Sequence, residues 1–168
     1  MRLDTLQDLL IDQLNYLYNA EFQIAEALPK VAHAASSADL KKAFQSHQKI
    51  TQNQINRLNE VFKKLGVTHN NHHCDGVLGL IHDEDRIISI QGDPVVKDAA
   101  LIAAAQRIEQ YEISGYSAVR TYARELGYND IADLLQDTLD EENESDKQLT
   151  SLAKGGFFSP GINEEAPK

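Results

Sequence analysis

The sequence predicts an all-α protein: an antiparallel four-helix bundle with one long crossover that carries a short extra helix. Three observations lead there. Apolar residues recur every three or four positions in four long windows, no window sustains a period of two, and two very short connections flank one long one. A chain of 168 residues has room for one such domain, read as residues 1–154, with residues 155–168 expected as a flexible C-terminal tail.

The first window, from about Leu3 to Ala35, sets Leu3, Leu6, Leu10, Leu14, Leu17, Ile24, Leu28 and Val31 on one stripe. It contains Pro29, which is expected to kink that helix or end it early. The second opens at Ser37, a side chain suited to an N-cap, carries Leu40, Phe44, Leu58, Val61 and Leu65, and stops at Gly66. The third opens with Asp93-Pro94, an N-cap followed by proline at the first helical position, and ends at Gly127. Its stripe is Leu101, Ala105, Ile108, Val119, Tyr122 and Leu126, with Gly115 on the inner side to allow a close helix approach. The fourth runs from Asn129-Asp130 to Gly155-Gly156 through Ile131, Leu135, Leu139, Leu149 and Leu152. Beyond it the tail FFSPGINEEAPK is expected to be frayed, with Phe157 and Phe158 as candidates to pack back.

Connection lengths choose the topology. One or two residues near Ser36-Ser37 and Gly127-Tyr128 force two antiparallel hairpins. The roughly 28 residues of 66–93 are long enough to cross the bundle, with a short helix expected around Asp75–Ile90. This is the ferritin-like arrangement.

Charge narrows the partners. With 26 Asp and Glu against 16 Lys and Arg, the formal net charge is −10, which repels phosphate backbones and anionic membrane surfaces and leaves metal cations as natural partners. Asp4 and Asp8 interrupt the N-terminal stretch where a signal peptide needs an apolar run, and no segment has the length of a membrane span. A single cysteine, Cys74, forms no intrachain disulfide, and a cytoplasmic location is expected.

The informative positions are the interruptions of the apolar stripes. Leu14, Leu17, Glu21, Ile24 and Leu28 keep a 3-4-3-4 rhythm around a central carboxylate; Leu139, Glu142, Asp146 and Leu149 place two acids in consecutive slots. In the third helix Glu109 and Glu112 follow Ile108, and in the second His47 and Gln54 fall on the inner stripe. Buried, unpaired carboxylates cost several kcal/mol each and repel one another, so either protons or cations must neutralise them. Arg57 is the nearest inward cation, and a divalent metal held by carboxylates and imidazole is the simplest account. Two divalent ions nearly balance the five inward charges. Each acid taken singly also has an ordinary reading, as a side chain at the stripe's edge reaching water. The loop HNNHHCD gathers His69, His72, His73, Cys74 and Asp75, but its spacing matches no zinc template, and Cys74 is read as a small hydrophobe opening the crossover helix.

Three segments carry a family resemblance. AEFQIAEALPKVA, KDAALIAAAQRIEQYEISGYSAVRTYARELGY and DLLQDTLDEENESDKQLTSLA, with the crossover CDGVLGLI, resemble the YciE/YciF family of bacterial ferritin-like proteins, nearer its YciF side. The resemblance extends over nearly the whole chain. It implies a cytoplasmic, stress-associated homodimer with an iron or manganese centre of the binuclear type. Carried over residue by residue, the metal ligands are Glu21, His47, Glu109, Glu112, Glu142 and Asp146. Helix two departs from the pattern: relatives resemble H-L-E-E-T where this chain reads His47-Gln48-Lys49-Ile50-Thr51, so Ile50 stands at an expected Glu and the number of ions, one or two, stays open. Two functions are compatible with these residues. One is a metal centre that handles iron, oxygen or peroxide, with Tyr111 and Tyr116 as candidate electron relays beside an ordinary core role. The other is a bundle with a degenerate site, kept as a structural or interaction protein without catalysis.

Overall fold

The structure, a computed structural model, describes residues 3–70, 72–156 and 159–168; Phe157 and Phe158 lie outside these. Five helices dominate: α1 (Leu6–Ala34), α2 (Ala38–Leu65), α3 (Asp75–Ser89), α4 (Pro94–Glu125) and α5 (Asn129–Lys154). The four predicted bundle helices are α1, α2, α4 and α5, and α3 is the helix of the crossover.

Punctuation residues set the boundaries. Thr5 caps α1 in a reciprocal box: the Asp8 amide donates to Thr5 Oγ1 at 3.1 Å and the Thr5 amide donates to Asp8 Oδ2 at 2.9 Å. The helix therefore starts at Leu6, and Leu3 is exposed. Ser37 caps α2, whose C-cap Gly66 takes φ +69°, and Asp93 caps α4 ahead of Pro94. Of the two outcomes expected at Pro29, early termination does not occur, since α1 continues to Ala34. The ring lies on the exposed face, where water can satisfy the Ala25 carbonyl that loses its partner.

Named contacts establish the topology. The Ser36-Ser37 turn meets Asp98 and Glu21 meets Tyr116, so α1 and α4 run antiparallel. Gln54 meets Glu142, Arg57 meets Thr138 and Lys64 meets Asp130, so α2 and α5 are antiparallel too. With each hairpin also antiparallel, α2 and α4 point the same way, and that is why the chain needs a long crossover between them. The helix α3 lies against α1 and α4, tied by Cys74 to Asn19 at one end and by the Lys30–Asp85 ion pair near the other.

The apolar interior is divided. One cluster gathers Ile24, Leu28, Val31, Leu40, Phe44, Val77, Leu101, Ile108 and Leu149; the other gathers Leu10, Leu14, Leu17, Leu58, Val61, Val119, Ile131 and Leu135. Between them lies a layer of buried polar side chains. Gly115 belongs to the second region: a Cβ there would stand 2.7 Å from Leu17 Cδ2, in line with its expected role in close packing.

The C-terminal segment corrects the expectation of a frayed tail. Gly155–Gly156 (β1) pairs antiparallel with Ser159–Pro160 (β2), and the single turn α6 (Ile162–Glu165) sets Ile162 into the first cluster. Two glycines permit this fold-back, since a Cβ on Gly161 would lie 2.2 Å from the Gly155 nitrogen. Gly161→Ala should therefore detach α6 and cost about 1–3 kcal/mol, which lowers Tm by about 2–12 °C for a chain of this size. Hydrogen exchange is the check: amides of residues 159–165 should lose protection, and unchanged protection would refute the account.

Candidate metal centre

The polar layer is built by one slot from each stripe. Glu21 stands between Leu17 and Ile24 of α1, and Glu142 follows Leu139 on α5; both are 0% exposed. From α4 come Glu112 at 1% and Glu109 at 3%, and from α2 comes His47 at 6%. Five of the six residues expected as ligands thus share one buried layer. One ligand atom from each of His47, Glu109, Glu112 and Glu142 lies within 4.8 Å of the others.

Asp146 stands apart. It is only half-buried, and its carboxylate accepts a hydrogen bond from Gln106 Nε2 at 3.1 Å. Ser145, one residue earlier, faces the layer instead. Its hydroxyl lies 3.1 Å from His47 Nδ1 and donates to Glu109 Oε1 at 2.9 Å, while His47 Nε2 lies 3.5 Å from the same Glu109 oxygen. Ser145 thus orients both imidazole and carboxylate, a role the stripe reading missed because serine at a helical slot carries no charge signal.

Helix α2 contributes neutral groups. His47, Thr51 and Gln54 are buried and face inward, whereas Ile50 is half-buried and Lys49 exposed. The Gln54 amide donates to Glu142 Oε1, and to Glu141 Oε2 at 3.1 Å. Arg57 does not reach the buried acids. It forms a two-pronged pair with Glu141, both contacts 2.9 Å, and donates to Thr138 Oγ1. Tyr116 is fully buried and its hydroxyl donates to Glu21 Oε1; Tyr111 is instead hydrogen-bonded to Cys74 Sγ at 3.1 Å.

Donors are too few for these acids. Glu21 Oε2, Glu109 Oε2, both Glu112 oxygens and Glu142 Oε2 are buried without a hydrogen-bond partner, as are Thr51 Oγ1 and Gln54 Oε1. Asp98, also buried, shows the opposite condition: it accepts from the Ser36 amide at 2.8 Å, the Ser36 hydroxyl at 2.6 Å and the Ser37 amide at 2.7 Å. Dehydration, followed by the charge of Glu142, pushes Glu21 and Glu112 well above the ordinary carboxylate range, and dehydration leads again for Glu109. Burial pushes His47 the other way, towards the neutral form. The Tyr116 phenol is raised by burial and by Glu21.

A further acid belongs to the neighbourhood. Glu84 on α3 is 4% exposed, and dehydration raises it to about 7. It lines a small cavity with His47 and Glu109. A signal was present: Glu84 interrupts the α3 stripe between Val77 and Ile87 as Glu21 does that of α1. The HNNHHCD loop, by contrast, assembles no metal-sized group among the described residues. His69 stacks on Tyr18 with centroids 4.1 Å apart, His72 lies 3.6 Å from Asp12, and Cys74 is buried.

These shifts make the metal-free protein pH-sensitive in a definite sense. An acid whose folded pKa is raised contributes full stability below its unfolded value near 4.5, and loses it as pH rises through the folded value. His47 has the opposite sign, but above about pH 7 it is neutral in both states. Above about pH 7, where His47 no longer contributes, the metal-free protein should therefore lose Tm as pH rises, and Glu112→Gln should flatten the slope. Calorimetry across that range is the check; a flat wild-type profile would contradict the assignment.

Known proteins place this architecture. The family model DUF892, a domain of unknown function, matches residues 5–165. Protein YciF of Escherichia coli K12 is 40% identical over 154 residues, covering 91% of this chain and 93% of that protein. The crystal structure of the E. coli stress protein YciF superposes with a TM-score of 0.87 at 39% identity, over 89% of this chain and 94% of that one. The protein YcfI from Rhodopseudomonas palustris gives a TM-score of 0.87 at 40% identity, over 90% and 96%.

Proposed function

The chain belongs to the DUF892 family, and from that membership together with its buried carboxylate layer we propose that it is a ferritin-like protein that binds iron or manganese inside the bundle. The observation that carries the reading is the set of buried carboxylate oxygens without hydrogen-bond donors, converging with one imidazole and paired with no Lys or Arg among the described residues. Such a donor set, hard oxygens with one nitrogen, suits a divalent first-row cation.

His47, Glu109, Glu112 and Glu142 would hold one ion. Glu21, oriented by the Tyr116 hydroxyl, and the free Gln54 Oε1 would serve a second on the α1 side. Asp146 would then support Gln106 rather than the metal. Iron bound here would supply one-electron chemistry towards oxygen or peroxide. The protein's own contribution is to exclude water, to keep His47 neutral and to fix the imidazole through Ser145. By likeness to the E. coli stress protein we also propose a stress-associated role; a cytoplasmic homodimer is what the family resemblance of the sequence implies.

A second reading is favoured by the neutral α2 wall. With Ile50 in place of a carboxylate, the layer would hold protons instead of ions, and the bundle would act as a structural or interaction protein.

Elemental analysis of untagged protein separates the two. The first reading expects one to two equivalents of iron or manganese per chain, lost on His47→Ala. No metal, even after anaerobic loading with iron(II), would leave the second. Glu112→Gln should stabilise the metal-free protein by about 1 kcal/mol or more, because it removes an uncompensated buried charge. The same variant should bind less metal than wild type.

A further inference from the structure

Glu84 receives no hydrogen bond and no ion pair among the described residues, although it is 4% exposed. Asp98, held by three donors, is what a structural buried acid looks like in this protein. Glu84 has no such partners, and its oxygens, unlike those of the centre, are not sealed from solvent. It lines a cavity of about 20 Å³, room for a single water, whose largely apolar walls, Phe44 and Ile108 among them, also include Ala27 of α1, Ala105 of α4, and His47 and Glu109 of the centre. The two alanines leave space between α1 and α4 where larger side chains would close it.

Several other sides of the layer are covered. Arg57 and Glu141 clasp across α2 and α5, Leu17 packs onto Gly115 between α1 and α4, and Tyr116 sits fully buried beside Glu21. On the α3 side residues 82–86 read His-Asp-Glu-Asp-Arg, with Asp83 and Arg86 exposed and Asp85 paired to Lys30 at the surface, which leaves Glu84 as the carboxylate that shares the cavity with Glu109.

We propose that Glu84 is an inlet carboxylate, which draws a divalent cation from the α3 surface and passes it between Ala27 and Ala105 to His47 and Glu109, without being a ligand of the filled centre. The proposal rests on the metal-binding reading above. A negative group along a narrow path raises the local cation concentration and the rate of filling, whereas the final occupancy is set by the ligands at its end.

Stopped-flow mixing of the metal-free, full-length protein with cobalt(II), followed by its visible d–d absorbance, tests this. Glu84→Gln keeps the shape and removes the charge; it should slow filling by about tenfold, with the final absorbance and the stoichiometry unchanged. Glu60→Gln, an equal change of net charge at an exposed α2 position, should fill at the wild-type rate. Equal rates for Glu84→Gln and wild type would overturn the proposal, as would a loss of stoichiometry in Glu84→Gln, which would make it a ligand. A wild-type protein that takes up no cobalt at all would overturn the metal-binding reading itself.

Discussion

Dehydrated negative charge in the middle of the bundle is the constraint on which the rest of the structure depends. Glu21, Glu109, Glu112 and Glu142 face one another with no Lys or Arg paired to them among the described residues, and five of their oxygens lack donors. Such a layer opposes folding, and the two apolar clusters on either side of it must outweigh that cost. The four bundle helices, each at least 26 residues long, are what allow a full apolar core both above and below the layer. The same constraint explains the neutral groups close by. Ser145, Tyr116 and Gln54 each lend one donor to an acid while adding no charge to the interior.

Much of this was legible in the residues. Ser37 and Gly66, Asp93-Pro94, and Gly155 mark helix ends to within a residue, because caps and breakers act locally. The inward positions of Glu21, Glu109, Glu112 and Glu142 followed from the stripes, since a helical face is a property of spacing alone. Asp146 shows where that reasoning stops. Glu142 and Asp146 are four residues apart and nearly share a face, and only the rotation of α5 against its neighbours puts Ser145 inward and Asp146 at the rim. The clasp of Arg57 with Glu141 and the seating of Ile162 depend likewise on contacts between distant segments. Glu84 was within reach of the same pattern. It lay in a connection, and a helix in a connection is easily read as a spacer.

The distribution of the layer along the chain has a consequence for how the protein is made. The first hairpin carries one of the four acids, Glu21, together with His47; the second carries Glu109, Glu112 and Glu142. As synthesis runs from the N-terminus, the first hairpin leaves the ribosome nearly free of internal repulsion. Closure of the bundle waits on α5, the last long helix to emerge, and closure is the step that brings the opposed charges together. Whatever neutralises them must therefore act on an almost complete chain. A nascent fragment ending before residue 142 has the apolar faces of a bundle and three of its four acids, Glu21, Glu109 and Glu112, but no complete fourth helix to close them together, and is more prone to self-association than to premature ion capture.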